Sequence, residues 1–259
     1  MTIAFAADSL VTLLLATTRL SVFFLLAPPF SSKAVPARVK AGLAVALSLA
    51  VLPAIRGQAT PALELFPLLG AALYQAVVGA AMGFVVLLAF AVVQAAGELL
   101  DLASGFTLAS LYDPMSNATS SIFGRIHQLL AITLLFATGG HLFLVRGLIS
   151  TFTVLPLHPM ALGDLARLVT DGIGTFLGGA LQVAAPVLVV LFLSEIALGL
   201  VSRAVPTLNI FAISFPVKII LVISFAGMAF ALLPGVVSEL LDQTGRDMTS
   251  VARMLGAGG

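Results

Sequence analysis

Residues 65–97 read LFPLLGAALYQAVVGAAMGFVVLLAFAVVQAAG, 33 positions without an acid, a lysine or an arginine. As one helix rising 1.5 Å per residue this stretch would be about 50 Å long, against about 30 Å for the hydrocarbon core of a bilayer. It sets the fold class: a helical protein of the membrane type. Its length leaves two alternatives. Either the helix projects beyond the membrane into protein, or it breaks near Gly79 and Gly83, which form a GxxxG of the kind that lets helices approach closely.

The whole chain has the same character. Of 259 residues, 60% are hydrophobic and 9% are charged, against about 45–50% and about 25% in an ordinary soluble domain. Mean hydropathy is +1.18. A chain of this size cannot hide so much apolar surface in one water-surrounded core. The net charge of +1 gives no electrostatic footprint for nucleic acid, and the absence of cysteine excludes disulfides, thiolate zinc sites and iron–sulfur clusters.

Upstream of the run, Thr60 and Pro61 suit the N-cap and first position of its helix, with Glu64 near the positive end of the dipole. Residues 41–55 are apolar but short for a full span, which suits one arm of a buried hairpin. The segment 31–40, SSKAVPARVK, holds three cations and no acid, as expected of a loop at a membrane surface or one facing the cytoplasm. Residues 9–30 are long enough to span a bilayer, and Pro28-Pro29 stops that helix. Arg19 sits in its middle and requires either a carbonyl cluster or a neighbouring subunit's acid.

Downstream lies the most polar part of the interior, residues 97–125, GELLDLASGFTLASLYDPMSNATSSIFGR. Glu98 and Asp101 are three apart and share a helix face, as an acid pair would, yet both border a loop where solvated carboxylates are expected. Residues 126–145 form another apolar segment, broken by Gly139-Gly140 and carrying His127 and His141. No metal-binding spacing accompanies either histidine, and both read as packing residues. Gly172, Gly174 and Gly178 are spaced GxGxxxG with no strand before them, so a dinucleotide loop is excluded by context. Residues 172–194 instead give a span with Pro186 as a kink, followed by Glu195, which pairs with Arg203 or meets a partner's cation. The two prolines of 201–218 predict a broken, re-entrant segment. An internal echo, Ser32-Lys33-Ala34-Val35-Pro36 against Ser202-Arg203-Ala204-Val205-Pro206, suggests a repeated hairpin or chance similarity. Residues 219–238 form the last apolar run, and 239–259 a mixed-charge C-terminal tail. Together these segments predict an all-α, membrane-associated protein with about six apolar helices in a single domain, 1–259. No nucleophile with a base, facing acids or metal ligands are recognisable, so no enzyme, cofactor or metal is expected.

Several ordered patterns resemble the FliR export-gate family of type III secretion. They begin with Arg19, Ala27-Pro28-Pro29-Phe30 and Val35-Pro36-Ala37-Arg38, and continue with Gly97-Glu98-Leu99-Leu100-Asp101, Ser104-Gly105-Phe106 and Asp113-Pro114. Further on stand Gly139-Gly140-His141, Ser150-Thr151-Phe152, Leu155-Pro156, Ala185-Pro186-Val187 and Leu198-Gly199-Leu200. Arg203-Ala204-Val205-Pro206-Thr207-Leu208-Asn209 and Phe215-Pro216 close the order, with Thr207 and Ser214 where the family tends to carry Gln and Gly.

The resemblance implies a non-enzymatic subunit of the bacterial flagellar export gate, in the inner membrane and flagellar basal body, with an injectisome counterpart as the alternative. It implies helical hairpins stacked in an assembly with FliP-like and FliQ-like subunits, contacts with FlhB-like and FlhA-like proteins and with lipid, and passage of unfolded protein substrates. It also implies that the loop 105–120 plugs the pore, through Gly105, Phe106, Leu108, Leu111, Tyr112, Asp113 and Pro114. Arg19, Glu98, Glu195, Arg203, Pro206 and Asn209 become candidates for contacts between subunits. A rival from another class is a proton-coupled secondary transporter relaying through Arg19, Glu195 and the histidines. An intramembrane hydrolase is the third reading, with no paired constellation to support it.

Overall fold

A computed structural model describes residues 2–33, 35–55, 58, 61–107, 121–155, 157, 165–207 and 209–256. The described residues form helices and no strands: α1 (Thr2–Leu26), α2 (Ala37–Ile55), α3 (Leu65–Ser104), α4 (Ile122–Ala137), α5 (Gly140–Val154), α6 (Leu165–Ala204) and α7 (Ile210–Gly256). Among them, four helices are long and apolar enough to cross a membrane, or six if α4 with α5, and the two parts of α7, each count as one broken span. This is the all-helical membrane class expected from composition.

The 33-residue run does not break at its glycines. It lies inside α3, a helix of 40 residues, about 60 Å long and therefore twice the thickness of a hydrocarbon core. The start differs from expectation, because Pro61 is not helical and α3 begins at Leu65. Pro67 then falls in the first turn, where its missing N–H removes no helical bond. The apolar arm 41–55 gains a turn at its start to become the 19 residues of α2. Residues 172–194 extend in both directions into the 40 residues of α6, straight through the three glycines and Pro186. The segment 201–218 is broken only between α6 and α7; Pro216 is accommodated inside α7.

The chain divides into two compact units, 1–88 with 139–172 and 241–259, and 89–138 with 173–240. In the first, α1 and α2 pack together as a hairpin, joined by a hydrogen bond from Thr17 Oγ1 to Ser48 Oγ of 3.0 Å. The helix α1 also lies on the glycines of α3. A Cβ at Gly79 would overlap the Arg19 carbonyl, and one at Gly83 would come within 2.9 Å of Leu26 Cβ. The GxxxG is thus occupied by this chain's own first helix. Thr244, Met248, Val251 and Ala252 are buried, at the spacing of one helix face, so residues 241–253 belong to α7 and have one side in the core of this unit. Met248 Sδ stands 3.4 Å from where a Cβ on Gly147 of α5 would be.

The second unit is built around a cluster of Ala96, Leu100, Phe123, Ala184, Val187, Leu191, Val222 and Ala226, with Phe106, Phe225 and Phe230 packed on it. These come from α3, α4, α6 and α7. A Cβ on Gly97 would meet the Phe123 backbone at 2.5 Å, so the absence of a side chain there is what lets α3 and α4 cross.

Candidate functional site

The polar stretch between α3 and α4 has two described ends and they meet. At the first, Gly105 takes φ +88°, a conformation natural to glycine and strained for residues with a Cβ, and its N–H bonds to the Asp101 carbonyl at 3.2 Å. That terminates α3. A Cβ on Gly105 would also stand 2.5 Å from the Phe215 ring. Phe106 follows, its ring 5.8 Å from that of Phe123. At the second end, Ser121 caps α4, its Oγ accepting the Gly124 N–H at 2.8 Å.

Asp101 joins the two ends. Its Oδ2 accepts the Ser121 hydroxyl and the Phe123 N–H, the latter at 2.9 Å. The side chain is buried, while Oδ1 is buried with no hydrogen-bond partner among the described residues. Glu98, three residues earlier, is exposed and accepts from Gln94 Nε2 at 2.8 Å. The expectation of two solvated carboxylates at this border is therefore corrected for Asp101: it faces the α4 N-terminus, whose unsatisfied N–H groups attract an acid. Ser121 was not singled out in the sequence, although a serine three residues ahead of Gly124 at the head of an apolar run is an N-cap signature. Of the proposed plug residues, Gly105 and Phe106 are placed as above; Leu108, Leu111, Tyr112, Asp113 and Pro114 lie outside the described residues.

The remaining charged candidates separate by depth. Glu195 does not pair with Arg203. It accepts from Lys218 Nζ at 2.9 Å, because Arg203 lies eight residues and about 12 Å further along α6, whereas the α6–α7 turn brings Lys218 back alongside. Glu195 remains 65% exposed. Arg203 and Pro206 are exposed, and so is Asn209, whose carbonyl accepts the Ala212 N–H at 3.1 Å near the start of α7. The first copy of the internal echo falls in the α1–α2 connection, whereas the second begins in the last turn of α6, Ser202 to Ala204, and only Val205 and Pro206 lie beyond it.

Arg19 is fully buried, and of its two alternatives the structure supplies the carbonyl and amide cluster. Nε donates to Gln75 Oε1 at 2.7 Å, Nη1 to Thr151 Oγ1 at 3.1 Å and Nη2 to the Leu155 carbonyl at 2.9 Å. The guanidinium also stands 4.1 Å over the Phe152 ring, a favourable cation–π geometry. Gln75 in turn donates to the Leu157 carbonyl at 3.0 Å. Gln75 was legible in retrospect as one of three side chains with a polar atom, beside Tyr74 and Gln94, in the uncharged run. His127 Nδ1 donates to the Phe123 carbonyl at 2.8 Å, its ring 5.4 Å from that of Phe230, which is the packing role expected of it.

Long apolar helices, a mid-helix arginine held by carbonyl and amide groups, and no cluster of metal-ligating side chains among the described residues define a helical protein of the membrane type. The chain belongs to the bacterial export proteins, family 1, which it matches over residues 10–244. It is 37% identical over 200 residues to the flagellar biosynthetic protein FliR of Escherichia coli strain K12, covering 76% of each chain. Against the flagellar biosynthetic protein FliR of Bacillus subtilis strain 168 it is 32% identical over 213 residues, 80% of this chain and 81% of that one. The Yop proteins translocation protein T of Yersinia pestis is more distant, 29% identical over 180 residues, 68% of this chain and 69% of the other. The chain is thus a non-enzymatic export-gate component of the flagellar type III apparatus, and it works in association with other components of that apparatus.

Proposed function

We propose that the chain sits in the bacterial inner membrane at the flagellar basal body, where it builds the export channel with FliP-like and FliQ-like subunits and contacts FlhB-like and FlhA-like proteins. Unfolded flagellar subunits pass through that channel. The observation that carries this reading is the exposed apolar surface of α6. Ile173, Leu177, Leu181, Val189, Phe192, Leu193, Ile196, Leu200 and Val201 are all exposed, over 28 residue steps or about 42 Å of helix. A hydrocarbon core of about 30 Å cannot cover that length, so part of it is covered by protein. Glu98, Glu195, Arg203 and Asn209, exposed polar side chains, and the exposed Pro206 are the positions that would meet those neighbours.

Within the channel, the segment 105–120 acts as the plug, with Gly105, Phe106, Leu108, Leu111, Tyr112, Asp113 and Pro114 as its obstructing and turning residues. Bulky apolar side chains can obstruct a narrow passage, and Asp-Pro favours a turn. Support comes from the anchoring of both ends of this segment on Asp101, which keeps their separation small. In gates assembled with the native partners and reconstituted in lipid vesicles, deletion of residues 105–120 is expected to raise ion conductance with assembly intact. Conductance equal to the undeleted gate removes the plug.

A further inference from the structure

We infer that Asp101 is a positioning residue: its carboxylate clasps the end of α3 to the start of α4, and the sealed state of the gate depends on that clasp. The inference rests on the plug reading for its functional consequence and on the described geometry for the clasp itself.

Three observations converge on one side chain. Asp101 is 2% exposed, a burial that an acid tolerates only when its charge is met by hydrogen bonds or an opposite charge. Both of its bonds go to one oxygen and to one place, the Ser121 hydroxyl and the Phe123 N–H, so the carboxylate faces the N-terminal end of α4, where the helix dipole adds to the attraction. Ser121 is shared: its hydroxyl donates to Asp101 and its oxygen caps Gly124, so losing the acid also frees the cap to rotate away. On the α3 side the corner is fixed independently. Gly105 is held by its backbone bonds to the last turn of α3 and by the Phe215 ring beneath it, and Ser104 Oγ donates to the Leu100 carbonyl at 2.7 Å. The other close approaches of α3 and α4 among the described residues, the Phe123 backbone against Gly97 and Glu98 Cγ against Gly124, are steric and carry no directionality. Without the carboxylate, α3 and α4 still touch and Ser121 can still cap α4, but the cap is no longer tied to α3 by a hydrogen bond.

The absence of cysteine from the chain permits a reversible test, because Asp101 and Ser121 are in direct side-chain contact. Assembled gates carrying Asp101→Ala, Asp101→Asn, the pair Asp101→Cys with Ser121→Cys, or a deletion of residues 108–118 are compared in vesicles for ion leak, and by amide exchange over residues 121–125. In Asp101→Ala, exchange at Phe123 and Gly124 is expected to be about tenfold faster, as for loss of one charge-assisted bond, and the leak rises. Asp101→Asn keeps one carbonyl oxygen for both donors and leaks less than Asp101→Ala. The cysteine pair leaks when reduced and reseals when oxidised, since a disulfide replaces the clasp covalently. Unchanged exchange in Asp101→Ala overturns the clasp. A leaking deletion beside a tight Asp101→Ala and a tight reduced cysteine pair overturns its role in sealing while leaving the plug in place. A tight deletion instead removes the plug reading, and the sealing role of Asp101 with it.

Discussion

Replacing Gly79 by alanine sets two effects of opposite sign against each other. On propensity alone, alanine in a helix interior is more favourable than glycine by about 1 kcal/mol. Packing opposes this, because the new Cβ would overlap the Arg19 carbonyl, a backbone atom of α1. A backbone cannot step aside by changing rotamer, so α1 as a whole must move. That movement strains the 2.7 Å bond from Arg19 Nε to Gln75, which lies one turn before Gly79 on α3. Overpacking costs about 1–3 kcal/mol where side chains can adjust, and more where they cannot. The net expectation is destabilisation by about 2 kcal/mol, since the clash cost exceeds the propensity gain. Gly83→Ala meets Leu26 Cβ at 2.9 Å, an atom no rotamer change can move, so α1 must shift there too, but by less than at Gly79, where the new Cβ would overlap a carbonyl oxygen, and the effect is smaller. Gly42 of α2 has nothing within 4 Å of its added Cβ, and there alanine stabilises by up to about 1 kcal/mol. Thermal unfolding of the purified chain in detergent measures all three: at about 2–4 °C per kcal/mol for a chain of this size, Gly79→Ala lowers Tm by about 4–8 °C and Gly42→Ala raises it slightly. If both variants move Tm in the same direction, α1 is not seated on the glycines of α3.

Two further outcomes follow from the charged residues. Gln75→Leu removes the acceptor of Arg19 Nε and the donor to the Leu157 carbonyl; at about 1–3 kcal/mol for each buried group deprived of that bond, the loss is about 2–6 kcal/mol, read as a Tm drop of at least about 4 °C. A drop below 2 °C would mean that Arg19 is held without Gln75. Glu195→Gln is expected to change stability by less than about 1 kcal/mol, because Glu195 is 65% exposed and a pair with a solvated carboxylate contributes little, and proton uptake by vesicles holding the chain stays at the protein-free level. A proton flux that this substitution abolished would establish the transporter reading instead.

Much of this protein was determined by sequence alone. A run of 33 uncharged residues and a charged fraction of 9% leave only helices, because a chain with so little polar surface must satisfy its backbone internally. The helical class, the presence of several span-length apolar helices, the stop at Pro28-Pro29 and the packing role of His127 could all be read from residue types. What could not be read were partnerships between residues distant in the chain. Arg19 meets Thr151 and Leu155, 132 and 136 positions away; Lys218 reaches Glu195 because a turn reverses the chain, while the nearer Arg203 does not. The GxxxG at Gly79 and Gly83 specified a close approach but not which helix would take it. Asp101 shows the limit most plainly. In the sequence it stood three residues from Glu98 on the border of a polar loop, indistinguishable from its neighbour. Only the crossing of α3 and α4 at Gly97 buries Asp101 against the first N–H groups of α4 and leaves Glu98 outside. Burial is a property of the packed chain, and burial decides whether a carboxylate is solvated surface or a structural clasp.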